Sequence, residues 1–104
     1  TYGKEQNFGK AIEYHLKGLE ISIESEDPVG EGVAYGGLGI AYRMLGDFRK
    51  SVEYHTKELE ISMESVARSA AYTDLGNAYE RLGDFQKAIE FHTKALEMKR
   101  EVGD

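Results

Sequence analysis

Residues 36–47 read GGLGIAYRMLGD, and thirty-seven positions later residues 73–84 read TDLGNAYERLGD. Gly39 falls on Gly76, Tyr42 on Tyr79, and the pair Gly46-Asp47 on Gly83-Asp84. A fixed period changes the meaning of every residue inside it. It bears first on the glycine-crowded run that contains the earlier copy, GEGVAYGGLGIAY at 30–42. A phosphate-binding loop needs G-x-G-x-x-G after a strand, or a glycine loop closed by lysine and then serine or threonine. Here Gly37 and Gly39 give G-x-G, but Tyr42 stands where the third glycine belongs. Gly36 and Gly37 become Thr73 and Asp74 in the second copy, so the crowding is not a shared chemical loop.

A second segment recurs three times: FGKAIEYHLKGLEIS at 8–22, FRKSVEYHTKELEIS at 48–62 and FQKAIEFHTKALEMK at 85–99. Phe48, Val52, His55 and Leu59 step by four, three and four residues, as do Phe85, Ile89, His92 and Leu96, which is one stripe of a helix. Tyr35, Leu38 and Tyr42 make a similar stripe in the other segment, matched by Tyr72, Leu75 and Tyr79. Each unit is therefore two helices, A then B. Between them glycine suits the left-handed position that ends helix A, and aspartate caps helix B. Gly39 and Gly76 lie inside helix A, where glycine costs about 1 kcal/mol relative to alanine, so helix B is expected to lie too close for a side chain. Gly36→Ala and Gly37→Ala are expected to stabilise the fold if those backbones are ordinary helix.

At 104 residues the chain is the length of one small domain. It has no cysteine, which excludes disulfides and thiolate metal sites and fits a reducing, cytoplasmic setting. No apolar run is long enough to span a bilayer, and no membrane role is expected. A net charge of −6 argues against nucleic acid, which needs a basic face.

With the repeat in hand, the residues resemble the tetratricopeptide repeat (TPR) family. Its pattern W-x2-L-G-x2-Y…A-x3-F…P is met by Tyr72, Leu75, Gly76, Tyr79 and Ala88, and by Tyr35, Leu38, Gly39, Tyr42 and Ser51. His55 and His92 replace the aromatic, and the closing proline is absent except as Pro28. The units exceed the family's usual length of about 34 residues, and in this they resemble the extended repeats of the LGN/Pins spindle-orientation scaffolds. The resemblance implies an all-α solenoid of helical hairpins. Its expected division is a partial TPR at 1–27, comprising the end of a helix A with Tyr2 and then a helix B, followed by full repeats at 28–65 and 66–104, as a piece of a longer array.

Such solenoids usually hold a peptide against their A helices. Carried over position by position, the groove residues are Thr73, Asn77, Glu80 and Arg81 in the last unit and Gly36, Ile40, Arg43 and Met44 in the middle one. Asn77 follows the packing glycine, where TPR proteins often use asparagine on a ligand's backbone or carboxylate. Ile40 at the equivalent place argues against a two-repeat carboxylate clamp. A protein or peptide partner is therefore expected, with self-assembly through the repeat ends as the alternative.

Chemistry has few candidates. His15, His55 and His92 occupy one position in successive helices B, about 10 Å apart by ordinary helix packing, too far to share a zinc ion. They are expected to fill space. Glu20, Glu24, Glu60, Glu64 and Glu97 read as solvated outer faces. No serine, histidine and acid form a triad, so no enzyme, cofactor or metal is expected.

One junction is open. Ser25, Asp27, Pro28, Gly30 and Gly32 supply stop, cap and restart signals after the first helix B. The second junction, MESVARSAAYTDLG, has neither glycine nor proline before Gly76, and Ser65 is its only obvious cap. Spacing favours a tight turn near Ser65 over a fused helix running from about Phe48 to Leu82.

Overall fold

A computed structural model describes the backbone of residues 2–103 and the side chains of residues 7–101. The described chain is five helices: α1 (Tyr2–Glu24), α2 (Pro28–Met44), α3 (Phe48–Ile61), α4 (Ser65–Leu82) and α5 (Phe85–Gly103). The main packing is between consecutive helices. Helices α2 and α4 are of type A, and each lies between the B helix before it and the B helix after it.

The turns follow the sequence signals where those exist. After α2, Gly46 takes φ +87°, Asp47 N–H donates to the Tyr42 carbonyl and Gly46 N–H to the Arg43 carbonyl. This is the Schellman closure, and it recurs after α4 with Gly83 at φ +85° and Asp84 N–H on the Tyr79 carbonyl. Asp47 and Asp84 then accept from the backbone N–H of Lys50 and Lys87 at 3.1 and 3.2 Å. Asp27 caps α2 through Gly30 N–H at 3.1 Å, with Pro28 as first helical residue.

Behind α1 the same closure is made by a residue the sequence does not flag. Glu26 holds φ +54°, and Asp27 N–H reaches the Ser22 carbonyl at 2.8 Å. A side chain at the left-handed position costs about 1–2 kcal/mol, and Gly46 and Gly83 avoid that cost at the equivalent sites. Glu26→Gly is therefore expected to stabilise the protein by about 1 kcal/mol, read as a raised urea midpoint at constant m-value. A lowered midpoint would refute the account.

Tyr2–Glu24 is one continuous helix, and Gln6 and Asn7 stand where the other units have their Gly-Asp pair. The side chain of Tyr2 lies outside the described residues. At the second junction the tight turn forms at residues 62–64 and the fused helix does not, but Ser65 is not its cap. Glu64 holds that position, with no side-chain capping bond among the described residues.

Leu38 and Leu75 are fully buried among Ala34, Ala41, Ala71, Ala78, Ala88 and Ala95. Around them each hairpin carries the same aromatic sandwich. Tyr54 of α3 stacks between Tyr35 and Tyr42 at 6.3 and 5.6 Å, and Phe91 of α5 between Tyr72 and Tyr79 at 6.0 and 5.5 Å. Rings seven residues apart on helix A thus clamp one ring of helix B and fix the hairpin's register.

The histidines explain the glycines. A methyl placed on Gly39 would stand 2.5 Å from His55 Nε2, and one on Gly76 would stand 2.7 Å from His92 Cε1. The ring takes the space that a side chain on helix A would need. Gly37 meets the half-buried His15 of the preceding B helix in the same way, at 2.5 Å, so Gly37→Ala must displace that ring and is no longer expected to stabilise the fold. At Gly36 the nearest atom is Glu58 Oε2 at 2.7 Å, the far end of a side chain whose other oxygen is bonded to His55.

Candidate functional site

At 100° per residue, Val66, Ala70, Thr73, Asn77 and Glu80 follow one another along a single stripe of α4. Their equivalents on α2 are Val29, Val33, Gly36, Ile40 and Arg43. This stripe lies between the side of α4 that meets α3, marked by Asp74 near His55, and the side that meets α5, marked by Gly76 against His92. It is the side of the A helices left open.

The candidate residues occupy it unevenly. Ile40 and Met44 are exposed, at 43% and 56%. Asn77 and Thr73 are half-buried, and the Thr73 hydroxyl donates to the Ser69 carbonyl of its own helix at 3.1 Å. Glu80 and Arg81 diverge. Glu80 Oε1 lies 3.7 Å from His92 Nε2 of α5, whereas the Arg81 guanidinium sits 5.1 Å over the Phe48 ring of α3. Arg81 is thus engaged in holding α3 to α4. Arg43 is half-buried with its Nε enclosed and without a hydrogen-bond partner among the described residues.

The carry-over of family positions missed the apolar part of the stripe. Val29, Val33 and Val66 are 73%, 68% and 69% exposed, and with Ile40 and Met44 they make the open face more apolar than mixed. Two cavities lie along it at equivalent places. One of ≈ 460 Å³ is lined by Val66, Ala70, Thr73 and Met98 among others, and one of ≈ 330 Å³ by Val29, Val33, Ile61 and Ala67 among others. The signal was available, since valines at 29, 33 and 66 share the stripe's spacing.

Histidines separate by environment. His55 is wholly buried, with Nδ1 3.0 Å from Glu58 Oε1 and 3.8 Å from Asp74 Oδ2. Burial is the main reason that the Asp74 carboxyl is raised above the usual carboxylate range; His55 pulls it down, Glu58 pushes it up and Arg43 pulls it down. Tyr35 is raised above the ordinary phenol chiefly by burial and then by its bond to Glu31 at 3.1 Å.

Comparison with known proteins places this geometry. Models of the tetratricopeptide repeat match residues 1–64 and 69–101. The chain belongs to the tetratricopeptide repeat family. The crystal structure of the TPR domain of Arabidopsis FLU is similar to it, with 29% identity and a TM-score of 0.83 over 100% of this chain and 88% of that one. No curated protein sequence matches it. As a TPR protein the chain is an all-α solenoid of helical hairpins and a protein–protein interaction module. None of its described helices is long and apolar enough to cross a membrane.

Proposed function

We propose that the TPR chain holds an amphipathic helical segment of a partner protein against the open stripe of α2 and α4. The observation that carries this reading is the run of exposed aliphatic side chains at Val29, Val33, Ile40, Met44 and Val66 on two neighbouring A helices. Exposed apolar residues arranged contiguously mark interaction surfaces, whereas scattered ones do not. Helix-in-groove recognition uses anchors at this kind of spacing. Asn77 and Glu80 supply polar contacts at the far end, and Arg43 lines the stripe on α2. The reading keeps the division at 1–27, 28–65 and 66–104, assigns no catalytic step, and sets the protein in the cytoplasm, in keeping with the cysteine-free composition.

A second reading rests on a different surface. Phe85, Ile89 and Leu96 of α5 are 63%, 67% and 52% exposed, while their equivalents Phe48, Val52 and Leu59 are partly covered by α4. That face favours self-association through the repeat ends.

One experiment separates the two. A displayed library of amphipathic helical peptides is selected on the intact chain, and binders are compared on Val33→Glu and Ile89→Glu variants. The first reading expects Val33→Glu to abolish binding with an unchanged melting temperature, and Asn77→Ala to weaken it severalfold. Arg81→Ala is a poor probe, because losing its contact with Phe48 lowers stability by about 0.5–1 kcal/mol. Binders lost only in Ile89→Glu, or a mass that rises with concentration and falls to monomer in Ile89→Glu, would overturn it in favour of the second.

A further inference from the structure

Among the described residues, His55 is the one histidine of the three that has two carboxylates in front of it. Its ring is fully buried, and its Nε2 faces Gly39 without a hydrogen-bond partner among the described residues, so Nδ1 is the atom turned to polar company. Nδ1, a carboxylate oxygen of Glu58 and one of Asp74 all lie within 4.8 Å of one another. Glu58 and Asp74 are themselves mostly buried, with 14% and 27% of their side chains exposed.

Repeat equivalence makes the arrangement informative. The position of Glu58 is Gly18 in the first B helix and Ala95 in the last, and the position of Asp74 is Gly37 in the preceding A helix. The repeat architecture therefore requires neither acid. Two carboxylates drawn toward one buried imidazole at a single junction call for a function of their own.

We propose that His55 Nδ1, Glu58 and Asp74 form a divalent-cation site that pins α3 to α4 and takes zinc-class ions. The ligand types are those of zinc, imidazole nitrogen and carboxylate oxygen at about 2.0–2.2 Å from the ion. A tetrahedron with such bonds has edges of about 3.3–3.5 Å, and the observed separations of 3.0 and 3.8 Å from Nδ1 bracket that value. Shifts of the two carboxylates, each reaching from the edge of the helix interface, bring the three donors, which lie within 4.8 Å of one another, to coordination distance. The fourth position is left to water or to a partner's side chain. Because α3 and α4 belong to successive repeats, the ion would set the angle between neighbouring hairpins and with it the shape of the open stripe.

The composition alone leads one to expect no metal, because it directs attention to the three histidines as a set. The site uses only one of them.

The test is a titration of the chain with Zn²⁺ alone, followed by calorimetry near neutral pH in a non-chelating buffer, and with Co²⁺, followed by its visible d–d absorption. His55 is part of the core, so the variants are Glu58→Ala, which installs the residue found at position 95, and Asp74→Asn, which keeps the shape. Expected are one ion per chain, a tetrahedral Co²⁺ spectrum that Zn²⁺ abolishes, and affinity at least about tenfold weaker in each variant, with circular dichroism unchanged. His92→Gln, which removes the exposed histidine near Glu80, is expected to leave binding intact. Absence of saturable binding, or affinity in Asp74→Asn and Glu58→Ala equal to that of the parent chain, would overturn the proposal. So would a ¹⁵N spectrum in which saturating Zn²⁺ leaves the His55 Nδ1 resonance unmoved, since a ligating nitrogen must be deprotonated and metal-bound.

Discussion

Gly39→Leu is expected to destabilise the protein by about 3 kcal/mol or more, and Gly39→Ala by about 1–2 kcal/mol, although either residue is a better helix former than glycine. The propensity gain of about 1 kcal/mol is outweighed because the new Cβ would stand 2.5–2.7 Å from three ring atoms of His55, a side chain with no exposure at all. That ring cannot swing away without breaking its bond to Glu58 and opening the core. Gly76 makes the same contact with His92, at 2.7–2.8 Å, but 37% of the His92 side chain is exposed and the ring can rotate toward solvent. Gly76→Ala is therefore expected to be close to neutral. Denaturant unfolding of the two alanine variants and a Gly39→Ala/His55→Ala double-mutant cycle measure the difference. A shared steric clash predicts a smaller loss in the double mutant than the sum of the singles. Equal losses at 39 and 76 would mean that ring mobility is not what distinguishes the two sites.

This pairing of a glycine with a histidine shows how the sequence could be read and where the reading stopped. The period, the two helices per unit and the Gly-Asp closures were legible because they depend on local backbone chemistry. A residue that must be left-handed and a residue that must cap leave fixed marks one position apart. The close approach at Gly39 and Gly76 was also legible, because an interior glycine in two equivalent helices needs a common cause. That the object is a histidine ring, and that Gly37 meets one from the previous repeat, was not. The partner of each glycine lies sixteen or twenty-two residues away, and which B helix faces it depends on how hairpins stack. The candidate site divides on the same line. Stripe positions on α2 and α4 follow from helical spacing, so Ile40, Met44, Thr73 and Asn77 stand on the open side. Arg81 and Glu80 sit at its two margins, where a side chain long enough to turn is captured by the neighbouring helix. The cluster of His55, Glu58 and Asp74 combines an i, i+3 pair with a residue of the next helix, and only the second of those contacts needed the structure.

Arg68→Ala is expected to cost about 2–3 kcal/mol, although it leaves the core packing intact. The α3–α4 turn is the one junction without glycine, proline or a side-chain cap, and it closes nonetheless. Its closure comes from the far side: Arg68, one turn into α4, reaches back so that Nη1 donates to the Leu59 carbonyl at 2.9 Å and the Ser62 carbonyl at 3.2 Å, while Nη2 donates to the Tyr72 hydroxyl at 3.3 Å. The carbonyls at the end of α3 are otherwise among the acceptors a helix leaves unsatisfied, and the positive charge meets the negative end of the helix dipole. The guanidinium also lies 5.8 Å from the centre of the Tyr72 ring, inside the aromatic sandwich that holds α4 to α5. One side chain therefore ties the end of one repeat to the interior of the next. Arg68→Lys should recover less than half of the loss, because a single ammonium cannot span two carbonyls and a hydroxyl in fixed geometry. Arg68→Met, which keeps the stem, measures the packing share. Urea unfolding gives the energies, and hydrogen exchange locates them: in Arg68→Ala the amides at 59–68 should lose protection ahead of those in α2. If the amides of the second junction stay as protected as in the parent while stability falls, the arginine acts elsewhere and this account of the turn fails.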